Sequence, residues 1–286
     1  MKFIKSLKKT YKESKRSSLV VYAVLRALVI FCMVMQIIRG NFDNAMLCLL
    51  SLILLFLPFF IQRGLKITLP NTLEIIILLF IFSAEILGEI RNFYGIFPFW
   101  DTMLHTLNGF LCAAIGFSLV NLLNKNSKKI SLSPLYLCLV AFCFSMTIGV
   151  VWEFFEFGVD QVLKQDMQKD RVTEVISSVT FDEKHDNNAI VIDNIDHTIL
   201  YDKDGNELMT IENGYLDIGI KDTMKDLIVN FIGAVVFSLL GYFYIISNGE
   251  KSFINHFVPQ KGLRKEGEIN KKPKVKNKNQ KNKKSI

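Results

Sequence analysis

The sequence predicts an all-α membrane protein, built as a six-helix transmembrane bundle with a small extracytoplasmic insert that contains a β-hairpin. Hydrophobic residues make up 50% of the 286 residues and the mean hydropathy is +0.30, although 21% of the residues are charged. These values are compatible because the charged residues are segregated from long apolar runs. The lengths of the runs, and the lysine and arginine between them, predict the number of spans and their orientation.

The predicted spans are separated by short polar loops and, once, by a long insert. A spanning helix needs about 20 predominantly apolar residues. The first apolar run is too long for the core of a signal peptide, and no A-x-A-like cleavage site follows it, so we expect this helix to be retained. The first five spans occupy 18–158 and the sixth occupies 225–247. The individual spans are residues 18–38, 44–62, 71–90, 102–122, 135–158 and 225–247.

Basic residues predict that both termini lie in the cytoplasm. Lysine and arginine are concentrated in the N-terminal segment 1–17, in the loops after the second and fourth spans, and in the tail 248–286. The loops on the opposite side carry few basic residues, and the longest of them is acidic. Because cytoplasmic loops are enriched in lysine and arginine, this alternation predicts a multi-pass cell-membrane protein with six spans.

Charge and cysteine content argue against two other classes of protein. The formal charge of +7 arises from the lysine-rich ends, and we expect the tail to be disordered because it has little apolar content. Such charge sets topology and attracts anionic headgroups, so the lipid bilayer, and no nucleic acid, is the expected partner. The five cysteines all lie in apolar runs without a CxxC pair, which predicts neither a disulfide framework nor a thiolate metal site.

The insert at 159–224 is acidic and contains a predicted β-hairpin. Alternating apolar residues at 197–201 and 207–211 flank an acidic turn around Gly205, which is a hairpin pattern. The turn lacks the glycine at position six and the glutamate at position twelve that an EF-hand calcium loop requires. We therefore interpret it as a hairpin turn and not as a calcium site.

Ionisable residues in three of the predicted spans form polar stripes at one depth. Residues three or four positions apart share a helix face, and the predicted topology puts all three stripes in the outer turns. Stripes of this kind are costly against lipid, so we expect them to face one another and to mark a functional site. The candidate catalytic residues, as acids, bases or metal ligands, are Asp101, His105, Glu153, Glu156, Asp222 and Asp226.

Crowded carboxylates predict a divalent metal as the cofactor of this site. Several carboxylates cannot all be ionised in a low-dielectric space unless a cation neutralises them. Together with an imidazole they suit Mn, Fe, Zn or Mg. The alternative is that the carboxylates lie in interfacial water at helix ends, where acids at a helix N-terminus are favourable. The candidate metal ligands are His105, Glu153, Glu156 and Asp226.

Three sequence blocks carry a resemblance to a known family. They are FPFWDTMLHTLNGF at 97–110, WEFFEF at 152–157, and KDTMKD at 221–226 followed by GA at 233–234. The blocks resemble, in order, patterns of the YjdF-like family of uncharacterised bacterial multi-pass inner-membrane proteins. The resemblance implies a bacterial membrane protein and supports the fold and the site, but it implies no reaction. Family members tend to join the second and third blocks by a short glycine-rich loop, whereas this chain has the long insert.

The sequence leaves three functions open. The first is a metal-dependent membrane hydrolase that acts on a lipid or envelope substrate near the outer leaflet. The second is a transporter in which the acids relay protons or cations, although the inner halves of the last three spans offer few polar residues to continue such a path. The third is a structural protein whose acidic insert binds an envelope partner.

Overall fold

The protein is mostly helical, with five candidate membrane spans. The structure is a computed structural model that describes residues 16–65, 67–126, 131–247, 253–258 and 260–261. The predictions for residues 1–15, 66, 127–130, 248–252, 259 and 262–286 fall outside these residues. By length and composition, five described helical segments could cross a membrane: Ser17–Ile38, Phe42–Gly64, Trp100–Asn124, Pro134–Leu163 and Ile220–Ile246.

The first two candidate spans form a helical hairpin. Helix α1 covers Arg16–Ile38, and the second span is divided into α2, Phe42–Leu54, and α3, Leu57–Gly64. The side chain of Asn41 caps α2 by accepting a 3.1 Å hydrogen bond from the Asn44 N–H. A proline in the first turn of α3 marks the division, because proline has no N–H to continue the preceding helix.

The third predicted span, 71–90, is helical throughout but is not one uniform helix. Helix α4, Asn71–Phe82, continues directly into a π-helical segment, Ser83–Ile90. Its α-helical part has 12 residues and is about 18 Å long, which is shorter than the hydrocarbon core of a bilayer. The segment is not among the five candidate spans, so the predicted count of six is not confirmed.

Two hydrogen bonds define the direction in which the 71–90 segment runs. At its start, the Ser17 hydroxyl of α1 donates to Asn71 Oδ1 at 3.1 Å. Where α4 passes into the π-helical segment, the Trp100 indole N–H donates to the Ser83 carbonyl at 3.3 Å. The segment therefore begins beside the start of α1, and its change from α- to π-helix lies beside Trp100, the first residue of another candidate span.

Three long helices form the tightly packed core that carries the candidate site. They follow the short helix α5, Phe93–Ile96, and are α6, Trp100–Asn126, α7, Pro134–Leu163, and α8, Ile220–Ile246. A Cβ atom at Gly109 would lie 2.0 Å from the Asn230 carbonyl oxygen, so the backbones of α6 and α8 are in direct contact. On the α7 side, the Ser145 hydroxyl donates to the Gly109 carbonyl at 2.7 Å. Small residues permit this approach, as they do between membrane helices generally.

The acidic insert is built from short antiparallel two-stranded ladders. It spans 164–219 instead of the predicted 159–224, because α7 and α8 continue beyond their most apolar stretches. Strands β2 and β7 pair at its base, β3 pairs with β4, and β5 with β6, the last pair confirming the predicted hairpin. The strands are β2 Val172–Thr173, β3 Ile176–Ser178, β4 Ile190–Ile192, β5 His197–Tyr201, β6 Glu207–Glu212 and β7 Tyr215–Leu216.

The hairpin turn is organised by one aspartate. Asp202 Oδ1 accepts hydrogen bonds from the backbone N–H groups of Asp204 and Asn206, at 2.9 and 2.8 Å. Asp202 Oδ2 accepts a third from Asn206 Nδ2 at 2.9 Å. These donors lower the pKa of Asp202 and account for the acidic turn as a local structural device.

Part of the predicted tail 248–286 is structured, which corrects the expectation of disorder for those residues. Phe253–His256 forms a 3₁₀ turn, and β8, Gln260–Lys261, pairs antiparallel with β1, Ile67–Thr68. The ring of Phe257 packs edge-on against Phe110 of α6, with 5.3 Å between centroids. Apolar side chains in this short stretch are buried against the bundle, and that burial offsets the entropic cost of ordering it.

Candidate metal centre

Three of the predicted site residues converge between α6 and α8. Asp101 and His105 lie one turn apart on α6, and Asp226 lies in the first turns of α8. His105 Nε2 is 3.4 Å from Asp101 Oδ1 and 3.8 Å from Asp226 Oδ2. One ligand atom from each of the three residues lies within 4.8 Å of the other two. The one-turn spacing puts Asp101 and His105 on one face of α6, and the packing of α8 against α6 brings Asp226 to them.

The two distances from His105 Nε2 match ligands of one cation better than a pair of hydrogen bonds. Hydrogen bonds in proteins have donor–acceptor distances of about 2.7–3.2 Å, shorter than both distances from His105 Nε2 to the two carboxylates. Nitrogen and oxygen ligands about 2.1 Å from a tetrahedral cation lie about 3.4 Å from one another. The triad of Asp101, His105 and Asp226 can therefore hold a divalent cation with only small adjustments.

Glu153 of α7 faces the same centre from the other side of the imidazole. Its Oε1 is 3.9 Å from His105 Nδ1, and its side chain is only 6% exposed. Glu153 Oε2 and Asp226 Oδ1 are both buried without a hydrogen-bond partner. Buried polar atoms are almost always hydrogen-bonded, so two carboxylate oxygens at one centre without such a bond are suited to bind a cation or a proton.

The other two predicted site residues are buried but are held by different partners. Glu156 Oε1 accepts a 2.7 Å hydrogen bond from the Trp152 indole N–H, one turn back on α7. Asp222 Oδ1 pairs with Arg171 Nη2 at 2.7 Å, and its Oδ2 accepts from the Lys169 backbone N–H at 3.1 Å. The hydrogen bond from the Arg171 guanidinium to Asp222 raises the pKa of Arg171. Asp222 thus connects the start of α8 to the insert.

Lys225 is a component of the centre that the sequence reasoning did not predict. Its Nζ is 3.0 Å from Asp101 Oδ2, 3.7 Å from Asp226 Oδ1 and 4.0 Å from Asp222 Oδ1. The signal available in the sequence was a lone lysine between two aspartates at the start of an apolar helix. Lys225 and Arg171 neutralise part of the charge, but they do not contact Glu153 or Glu156 in the described part of the chain.

An amide layer and then aromatic side chains lie beneath the centre. Asn108 Nδ2 donates to Asn230 Oδ1 at 3.1 Å, which joins α6 to α8 one to two turns deeper than the triad. Below it, Phe237 packs edge-on against Phe110 and Phe117, with centroid distances of 5.0 and 6.0 Å. The charged groups of this centre are therefore confined to one end of the three-helix core.

A second ionisable group, also unpredicted, lies in the first candidate span. The Arg26 guanidinium carbon is 4.3 Å from the centroid of the Tyr22 ring and 3.8 Å from that of Phe56. Arg26 Nε and Nη2 are buried without a hydrogen-bond partner. The aromatic faces stabilise the cation, which is otherwise costly inside an apolar span. A lone arginine within an apolar run was the available signal.

The helices and the centre together define a multi-pass membrane protein with an ionisable cluster at one end of its bundle. The chain belongs to the family described as "Predicted membrane protein (DUF2238)", whose sequence profile matches residues 19–247. This membership confirms the resemblance to a family of membrane proteins that the three sequence blocks indicate.

Comparison with individual proteins adds one relative. An "Uncharacterized protein" of Thermotoga maritima is 25% identical over 127 residues, which cover 44% of this chain and 64% of the relative. The chain thus matches less than two thirds of the length of that relative. No solved structure matches the chain significantly.

Proposed function

We propose that the protein is a membrane-embedded, metal-dependent hydrolase that acts on a lipid or envelope substrate. The observation that carries the proposal is the convergence of Asp101, His105 and Asp226 beside Glu153, whose buried Oε2 has no hydrogen-bond partner. A divalent cation supplies a Lewis acid and lowers the pKa of the water that it binds. Glu153 would accept the proton from the attacking water, and His105 or Asp101 would orient the metal or the leaving group.

The surroundings of the centre favour a substrate with apolar chains. Large apolar side chains are exposed on the helical turns that carry the triad and Glu153, among them Met103, Phe154 and Met224. In a membrane these side chains face lipid, so an acyl chain can lie against them while the polar group enters the centre. A water-soluble substrate would have no use for this apolar rim.

We further propose that the 71–90 segment is a sixth span, which puts the centre and the insert outside the cytoplasm. The hydrogen bonds that it accepts from Ser17 at its start and from Trp100 at Ser83 support a crossing beside α1. Five crossings would leave the two lysine-rich ends on opposite sides, whereas six allow both to be cytoplasmic. A bacterial cell membrane, which the family resemblance implies, is the proposed location.

Metal analysis tests the proposed centre. Purified wild-type protein is expected to bind one equivalent of Mn²⁺ or Zn²⁺ in isothermal titration calorimetry. His105→Ala and Asp226→Asn each remove a ligand, so we expect affinity to fall by more than about 100-fold, beyond the loss typical of an outer-sphere residue. Asp204→Asn, at the exposed hairpin turn, is the matched control and should bind as the wild type does. Equal binding by all four proteins would exclude the site.

An assay of lipid hydrolysis tests the proposed reaction. Metal-loaded wild type is expected to release water-soluble product from a radiolabelled membrane-lipid extract in mixed micelles. Glu153→Gln should abolish release while keeping most of the metal affinity, because the amide can no longer accept a proton. A variant that keeps both metal and full activity would rule out Glu153 as the base. Metal binding without release of any product would reject hydrolysis of lipids.

Cysteine accessibility tests the proposed sidedness. In a background without native cysteines, Lys203→Cys in the insert is expected to react with a membrane-impermeant maleimide in intact cells. Lys284→Cys in the tail should react only after the membrane is permeabilised. Labelling of both positions in intact cells, or of Lys284→Cys alone, would contradict six spans with cytoplasmic ends.

A further inference from the structure

The Lys225 ammonium lies among the same carboxylates that form the candidate metal centre. It is within 4.0 Å of oxygen atoms of Asp101, Asp222 and Asp226, and two of these residues belong to the triad. The shortest of the three contacts is a 3.0 Å hydrogen bond to Asp101 Oδ2. Lys225 is therefore the counter-ion of this centre in the structure.

The ammonium and a divalent cation would compete for the same electrostatic stabilisation. Each attracts the Asp101 and Asp226 carboxylates, and each repels the other at a separation of a few ångströms inside a low-dielectric protein. Lys225 also directs its charge at Asp226 Oδ1, the buried oxygen that lacks a hydrogen-bond partner. Full use of both carboxylates by a metal thus requires the ammonium to move away.

The position of Lys225 allows this movement. Its side chain is 31% exposed, whereas that of Asp226 is 2% exposed, so the lysine reaches the centre from its open rim. Lysine has a long flexible stem and a compact, strongly hydrated charge, so the ammonium can turn outward into solvent without disturbing the helix. Asp226, which is buried, has no such freedom.

We propose that Lys225 is an internal competitor of the metal, which occupies the carboxylates of Asp101 and Asp226 until a divalent cation displaces it. The proposal rests on the proposed metal centre and adds a residue that sets its affinity. Lys225 holds the acidic centre together when the cation is scarce, and it weakens cation binding by the free energy of its own ion pairs. The centre therefore loads only above a threshold cation concentration.

Titration of neutral variants with Mn²⁺ tests the competition. Lys225→Gln and Lys225→Met are expected to bind Mn²⁺ at least about tenfold more tightly than the wild type, because the displaced charge is gone. Lys225→Arg keeps the charge and should show no such gain. Lys221→Gln is the matched control, since Lys221 is exposed one turn earlier on α8 and should leave the affinity unchanged. Equal or weaker binding by both neutral variants would overturn the proposal.

A measurement on wild-type protein keeps the test independent of how well the variants fold. Acylation by a water-soluble N-hydroxysuccinimide ester, read by mass spectrometry, should increase at Lys225 when Mn²⁺ is added, while Lys221 reacts equally in both states. Unchanged or reduced acylation of Lys225 in protein that binds Mn²⁺ would contradict displacement. If neither the wild type nor Lys225→Gln binds Mn²⁺, the metal centre itself fails, which is a different result from a centre that binds metal without competition.

Discussion

Replacing Gly233 with alanine is expected to prevent the three-helix core from forming in its native packing. A Cβ atom at Gly233 would lie 2.0 Å from the Thr106 carbonyl oxygen and 2.9 Å from the Phe110 nitrogen, both backbone atoms of α6. Backbone atoms cannot rotate away as a side chain can, so the helices must separate. Overpacking of this kind costs up to about 3 kcal/mol and occasionally more.

Size-exclusion chromatography and thermal unfolding of detergent-solubilised protein measure this effect. The Gly233→Ala variant should lose most of its monodisperse peak, or unfold at a clearly lower temperature. Gly158→Ala on α7 is the matched control, because a Cβ atom there meets nothing within 4 Å. Alanine favours helix over glycine by about 1 kcal/mol, so the control should be at least as stable as the wild type. Equal behaviour of the two variants would mean that α6 and α8 are not in backbone contact.

Asp222→Ala is expected to release the insert from the bundle. Asp222 is 3% exposed and accepts hydrogen bonds from the Arg171 guanidinium and the Lys169 backbone N–H. Removal of the carboxylate leaves both donors without their acceptor. Hydrogen bonds to charged groups contribute about 1.5–3 kcal/mol each, and the low end applies to Arg171, whose side chain is 46% exposed and can find water.

Limited trypsin digestion reports this release, since Arg171 and Lys169 are themselves cleavage sites within the anchored segment. Cleavage there should be faster in Asp222→Ala than in the wild type, while Asp193→Asn, at an exposed position of the insert, should not change the rate. We expect the variant to keep Mn²⁺ binding, because the role of Asp222 is to anchor the insert. Lost Mn²⁺ binding with unchanged cleavage would instead make Asp222 a metal ligand.

The segregation of apolar and charged residues was sufficient to predict a helical membrane protein. Five of the six predicted spans coincide with helices that could cross a bilayer, and the hairpin forms around the predicted turn. Hydropathy could not predict the change from α- to π-helix at Ser83, because that change depends on local backbone geometry. Hydropathy also predicted too early an end for α7, because the last turns before Leu163 are less apolar and yet remain helical.

The candidate site shows the same division between local and tertiary information. Helical spacing predicts that Asp101 and His105 share a face, and in the structure Asp101, Asp226 and Glu153 all lie within 3.9 Å of the His105 imidazole. Helical spacing could not separate these residues from Glu156, which shares a face with Glu153 but is held by Trp152. Which of two neighbouring carboxylates turns toward the centre depends on how α7 is rotated against α6 and α8.

By itself, the sequence determined the membrane class, the helical architecture and the set of residues from which a metal centre could be built. Those features follow from hydropathy and from residue spacing within single helices, which are local properties of the chain. Only the tertiary structure decided that Lys225 lies among the aspartates, that Asp222 anchors the insert, and that part of the tail packs against α6. These outcomes depend on contacts between residues far apart in sequence, and no periodicity within one segment encodes them.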